Sequence, residues 1–191
     1  QMIATAKFTA ALQRASATKP YTETLSDMVV ELASTVSPEE SGSPLLNAPT
    51  PARKRELLLV VSSDRGLCGA YNANVLRIAA RHLREQSAAG VDTVVETVGK
   101  KAVGFFQFQG FDIANRYELG DKPAYEAVEA IAAGYMDRFA AGEFDAVRVA
   151  FMRFVSNARQ VPEIMQVLPL EAEAAAEDAS SANAGCEFSP E

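Results

Sequence analysis

The segment 62–72, SSDRGLCGAYN, gathers the residue types that could do chemistry: hydroxyls, a carboxylate, a guanidinium, a thiol and two glycines. Gly66 and Gly69 could bring backbone N–H groups up to a phosphate. Their spacing is Gly-x-x-Gly, however, without the GxGxxG of a dinucleotide fingerprint or the GK[ST] ending of a P-loop. The favoured reading is a tight strand-to-helix turn whose glycines serve backbone geometry, and a nucleotide-binding protein or small enzyme using the Ser62–Asn72 loop is the alternative. Cys68 beside Arg65 could be a low-pKa nucleophile at a helix start, but it needs a base. The single histidine, His82, lies further along the same predicted helix, about 21 Å away on its axis, which excludes a Cys–His pair. Cys68 reads as a small, partly buried thiol and His82 as a surface or boundary residue.

Other candidates fare no better. Asp64, Asp112 and Asp121 fall near predicted strand ends, where such residues are commonly turn formers and helix caps, and no acid/base pair stands out. The aromatic cluster Phe105, Phe106, Phe108 and Phe111 lacks basic interleaving beyond Lys100 and Lys101, so it reads as core packing rather than base stacking. Two cysteines, Cys68 and Cys186, give neither a CxxC zinc pattern nor a disulfide scaffold, which fits a reducing compartment. The formal charge is -7, and the stretch 170–191 holds Glu171, Glu173, Glu177, Asp178, Glu187 and Glu191 with no Lys or Arg. The rest is nearly neutral, which argues against nucleic acid as a partner. No apolar run approaches the roughly 20 residues that cross a bilayer.

The elements that must position these residues begin with a helix over 1–36, where Tyr21, Leu25, Met28, Leu32 and Val36 recur at seam spacing. Pro20 predicts a kink there or two shorter helices. The stretch 37–54, rich in Pro and Ser, reads as a linker. From Glu56 the pattern changes to a continuous apolar strand, ELLLVV, a helix, the strand DTVVETV, a short helix ending at Gly110, a weaker strand near Asn115, and a helix started by Asp121, Lys122 and Pro123. That helix has an apolar face of Tyr125, Val128, Ile131, Ala132, Tyr135, Met136 and Phe139. Such alternation predicts an α/β fold, Rossmann-like, with a mostly parallel sheet and flanking helices. The strands DAVRVAFMRFV and VPEIMQVLP are joined by SNARQ, too short for a parallel crossover, so that pair is antiparallel and the sheet mixed. The acidic stretch 170–191 is expected to be a flexible connector, and the closing FSPE carries the marks of a helix start. With Gln1 at the other end, the chain reads as a fragment.

SSDRGLCGAYN resembles the γ subunit of the F-type ATP synthase, whose pattern is close to T/S-S-D-R-G-L-C-G-x-x-N. QMIATAKF is similar to the family's N-terminal helix motif at Met2, Ile3, Ala4, Ala6 and Lys7, and FMRFVSNARQVPEIMQVLPL to its F-x-S-x-x-x-Q-x-P hairpin at Phe154, Ser156, Gln160, Pro162 and Pro169. The resemblance implies a subunit with no catalytic residues, cofactor or metal of its own. It implies a central rotor shaft coupling rotation of the membrane c-ring to the catalytic β subunits, with α and β subunits, ε and the c-ring as partners. Met2, Ile3, Ala6 and Lys7 are then shaft positions, and Asp64, Arg65, Gly66, Leu67, Cys68, Gly69 and Asn72 partner-contact positions. A bacterial protein held peripherally at the cytoplasmic face of the inner membrane, without lipid insertion, is the implied setting. The α/β region 55–169 corresponds to the foot, 1–36 to the start of the shaft, and a C-terminal helix is expected beyond the acidic connector.

Overall fold

The computed structural model describes residues 2–35, 43–47, 52, 54–120, 122–156 and 158–170. The chain divides into two units, one of them continuous over Gly42–Leu170 and the other containing the N-terminal helix. Expectations for Asp121, the stretch 171–191 and Cys186 lie outside the described residues, as do the side chains of Met2, Ile3 and Lys7.

Helix α1 is Met2–Thr35, assigned without interruption through Pro20. Its 34 residues span about 51 Å. The Thr24 hydroxyl donates to the Pro20 carbonyl at 2.9 Å. Ala6, Ala10 and Ala11 are exposed, and so are Phe8 and the seam residues Tyr21, Leu25 and Met28.

In the second unit, strands β1 (Arg55–Val61), β2 (Asp92–Val98), β3 (Asn115–Tyr117), β4 (Ala146–Ser156) and β5 (Arg159–Leu168) alternate with helices α2 (Tyr71–Ala88), α3 (Lys100–Phe108) and α4 (Tyr125–Ala140). They form one sheet in the order β3-β2-β1-β4-β5. Leu58 stands opposite Val95 of β2 and Arg148 of β4, both in parallel pairing. The β4–β5 pair is antiparallel, as the short connection between Ser156 and Arg159 requires. β1 sits at the centre of the sheet with every residue from Glu56 to Val60 buried; a strand covered on both faces is apolar along most of its length, and Glu56 is the exception.

The alternating side chains of β1 feed two cores. Leu58 and Val60 pack with Val75, Leu76, Ala79 and Leu83 of α2 and with Ala102 and Phe106 of α3. On the opposite face Leu57 and Leu59 pack with Tyr135 and Phe139 of α4, Phe144 and Val147. Leu45, from the segment read as a linker, packs against this second layer, and its carbonyl accepts from Leu170 N at 2.9 Å.

Two apolar expectations are corrected. Only Tyr135 and Phe139 of the α4 face are buried, with Ile131 packed partly against the same core, and Tyr125, Val128 and Met136 are exposed: Tyr125 and Met136 lie to one side of the buried line, and Val128 falls on it about two turns nearer the helix start. It also begins at Tyr125. In the aromatic cluster, Phe106 is fully buried, with Phe105 and Phe111 edge-on to it. Phe108 is exposed, since it falls on the last residue of α3 and past the sheet.

Candidate functional site

β1 connects through α2 to one side of the sheet, while β4 adds on its other side, so the carboxyl end of β1 is the topological switch point where ligands of open α/β sheets bind. The SSDRGLCGAYN loop occupies this position. Several of its polar groups bond within the loop. Asn72 is the hub: its Oδ1 accepts from Ser63 N at 3.0 Å, and its Nδ2 donates to Ser63 Oγ at 2.9 Å and to Cys68 Sγ at 3.0 Å. Ser63 Oγ donates to the Arg65 carbonyl at 2.6 Å, and Tyr71 N donates to the Cys68 carbonyl at 3.3 Å, closing the turn into α2.

The same loop caps the neighbouring helix. Lys100 N donates to Asp64 Oδ1 at 3.1 Å, Lys101 N to the Ser63 carbonyl at 3.2 Å, and Ala102 N to Ser62 Oγ at 2.9 Å. These are the N–H groups that a helix start offers to an anion, and at α3 the protein itself occupies them. Asp64 is thus a cap, as its type suggested. The close fit needs glycine at 99: φ is +88°, and a Cβ there would lie 2.3 Å from the Ser62 carbonyl oxygen. Asp64 and Asn72 therefore turn inward, whereas Arg65, Gly66, Leu67, Cys68 and Gly69 form the exposed rim. Leu67 is fully exposed with φ of +60°, a left-handed backbone that costs a non-glycine residue about 1 kcal/mol or more. Cys68 is exposed rather than partly buried. Burial, with the nearby Cys68 thiol adding to it, pushes the Tyr71 phenol pKa upward.

Two buried carboxylates that the sequence reading passed over anchor the sheet on its two faces. Glu56 is 2% exposed. Its Oε1 accepts from His82 Nε2 at 2.7 Å and from the Thr93 hydroxyl at 2.9 Å, its Oε2 accepts from Arg148, and Arg148 reaches on to Gln166 at 2.8 Å. Burial pushes the Glu56 pKa up, but the His82 hydrogen bond and charge, with Thr93 and Arg148, outweigh it and hold the group below the ordinary value. His82, expected at a boundary without a partner, is thereby a strut between α2 and β1 at the amino end of the sheet, away from Cys68.

On the α4 face, Glu96, also 2% exposed, accepts from Tyr117 OH at 2.7 Å, Tyr135 OH at 2.9 Å and Arg138 Nη1 at 2.7 Å. Arg138 also holds Glu143 through two bonds of 3.0 Å and stacks over the Phe144 ring at 4.7 Å. Burial, with the neighbouring Tyr117 and Glu96, raises the Tyr135 phenol pKa. The Arg138 hydrogen bond lowers that of Glu143. A charged residue in the middle of a strand pattern, Glu96 in DTVVETV, was the available signal. Both networks link strands to helices. Among the described residues no cluster of His, Cys, Asp or Glu has the makings of a metal site, and no helix is long and apolar enough to cross a membrane.

A family model described as ATP synthase matches residues 1–191. The chain is 33% identical to the ATP synthase gamma chain of Rhodopirellula baltica, over its whole length and 65% of that protein. It is 36% identical to that of Gemmatimonas aurantiaca, over 89% of this chain and 58% of the relative. It thus spans a little under two thirds of the length of these relatives. In fold it is similar to a chain of the Tetrahymena thermophila mitochondrial ATP synthase central stalk and c-ring, with a TM-score of 0.62 at 20% identity, covering 98% of this chain and 77% of that one. With the family model matched from end to end and gamma chains aligned across both the helix and the sheet, the chain belongs to the ATP synthase gamma-chain family.

Proposed function

We propose that the chain is part of the central-stalk rotor of a proton-translocating F-type ATP synthase, coupling rotation of a c-ring to conformational changes in catalytic β subunits. The observation that carries this reading is the match to gamma chains across the whole sequence. Two structural features fit it. The switch-point loop spends its polar groups on Asn72 and on the start of α3, which suits a rigid contact surface and not a nucleotide pocket. Helix α1 exposes Tyr21, Leu25 and Met28 at the spacing with which one strand of a coiled coil meets another.

In this reading α1, with Met2, Ile3, Ala6 and Lys7, turns inside a sleeve of α and β subunits, and its small exposed alanines keep it thin. The unit Gly42–Leu170 is the foot beside ε on the c-ring. The rim Arg65–Gly69 meets the lower ends of the β subunits, while Asp64 and Asn72 hold its shape. The chain performs no bond chemistry and sits peripherally at the cytoplasmic face of a bacterial inner membrane. The test is to co-express the full-length gene product with its α and β subunits. The expected result is a purified complex with ATPase activity that depends on this chain. Failure to co-purify, or saturable micromolar ATP or NAD binding by this chain alone, would overturn the reading in favour of a nucleotide-binding protein.

A further inference from the structure

The chain passes between its two units at two places, between 41 and 42 and between 170 and 171, and one contact inside Gly42–Leu170 holds both. Residues 43–46 turn back on themselves: Leu46 N donates to the Ser43 carbonyl at 3.3 Å and Leu45 N to Ser43 Oγ at 3.4 Å. That turn brings the Leu45 carbonyl to Leu170 N, 2.9 Å away. The half-buried side chains of Leu45 and Leu170 pack against the core cluster that contains Leu57, Phe144, Val147 and Leu168. The exit beyond β5 has a second hold. Gln166 Nε2 donates to the Pro169 carbonyl at 3.3 Å, and Gln166 Oε1 accepts at 2.8 Å from Arg148, the arginine that pairs with the buried Glu56.

We propose that Leu45 and Leu170 form a clasp that turns the two crossings into one mechanical attachment, so that a twist of the sheet unit is passed to α1 and to the chain beyond residue 170 together. The inference rests on the rotor reading above and adds the place where load enters the helix. Slack is the physical reason. With the clasp shut, the chain is held at Leu45. With it open, the hold moves to the start of β1, where the Lys54 carbonyl accepts from Asp92 N at 2.8 Å, and the stretch from Leu45 to Lys54 adds up to about 30 Å of chain. A connection with that much chain to draw out turns under load before it passes any on. The clasp is also the part that opens first: it is one hydrogen bond and two half-buried leucines, whereas β1 is paired along both of its sides, and such margins open ahead of the core. Plain core packing would make Leu45 matter for stability alone; a clasp makes it matter for coupling while the sheet stays intact.

The test uses the full-length chain assembled with its partner subunits in sealed membrane vesicles, comparing ATP hydrolysis with ATP-driven proton uptake in the same preparation. Leu45→Asp puts a charge on the apolar side of the clasp. Ile113→Asp, at a half-buried residue packed against the other core, controls for a general weakening of the unit. For Leu45→Asp the expected result is hydrolysis within about twofold of the unaltered complex, proton uptake per ATP lowered about threefold or more, and a Leu170 amide that exchanges with solvent about tenfold faster while the amides of β1 keep their protection. Ile113→Asp leaves the ratio unchanged. Leu45→Ala, which trims the packing and keeps the backbone, carries the test if the aspartate variant does not assemble, with a smaller loss of the same sign. An unchanged ratio, an equal fall in the Ile113 variant, or Leu170 exchange that does not respond overturns the proposal. An unaltered complex that never pumps removes the rotor reading and this inference with it; an unaltered complex that pumps, beside a Leu45 variant that pumps equally per ATP, removes only this one.

Discussion

Replacing Glu96 by glutamine keeps its shape and removes its charge at the point where β2, β3 and α4 meet. The carboxylate is 3% exposed in its side chain and receives three donors. Breaking a buried ion pair by neutralising one partner costs about 3–5 kcal/mol. Here two features reduce that figure. Arg138 keeps Glu143 and is one third exposed, and the two tyrosine hydroxyls can rotate to accept from the new amide. The expected loss is about 2–3 kcal/mol, most of it charge assistance to the Arg138 and tyrosine bonds. For a cooperative unit of about 130 residues this lowers the Tm by roughly 10 °C. Thermal and urea unfolding followed by circular dichroism measure it. Tyrosine emission gives a second probe, because the chain has no tryptophan and two of its five tyrosines contact Glu96. The control is Glu143→Gln, at a carboxylate 36% exposed, where the expected loss is under about 1 kcal/mol. Equal effects of the two substitutions would refute the claim that the buried carboxylate, rather than the surface pair, holds α4 to the sheet.

Three other outcomes follow from the same geometry. Gly99→Ala combines a positive φ with a Cβ 2.3 Å from the Ser62 carbonyl oxygen and is expected to cost about 2–4 kcal/mol, measured as a drop in urea midpoint; an unchanged midpoint contradicts the close approach. Asn72→Ala removes the hub of the loop and is expected to cost about 1–2 kcal/mol, with hydrogen exchange at Ser63–Cys68 faster while the strand amides of β1 keep their protection. Glu56 has a folded-state pKa below the ordinary glutamate value of about 4.5, so the stability it contributes is present above that pH and is lost as the pH falls through the lower folded value. Glu56→Gln should therefore flatten the acid limb of a stability–pH profile below about pH 4.5, and an unchanged slope there argues against the His82–Glu56–Arg148 network.

Much of the architecture was legible because it rests on short-range rules. After Glu56 the run LLLVV has no polar position to turn outward, so it had to be a central strand. SNARQ is too short to cross over, so β4 and β5 had to be antiparallel. The motif SSDRGLCGAYN pointed to the right place in the fold and to the right family, and Asp64 proved to be the cap its residue type suggested. The partners of the polar core were not legible. Glu56, His82 and Arg148 meet only because register brings β4 beside β1 and α2 lies across them, and nothing in their spacing announces it.

The sequence by itself determined the order of elements, the parallel and antiparallel pairings and the family, since periodicity, turn length and a specific motif are properties of neighbouring residues. Only the tertiary structure decided which parts of each pattern are used. It turned Asp64 and Asn72 inward and left Leu67 and Cys68 on the rim, because the start of α3 needs acceptors and the first residues after β1 are the ones close enough to supply them. It buried Tyr135 and Phe139 but left Tyr125, Val128 and Met136 in solvent, because Tyr125 and Met136 lie to one side of the buried line and Val128, though on that line, falls about two turns nearer the start of the helix.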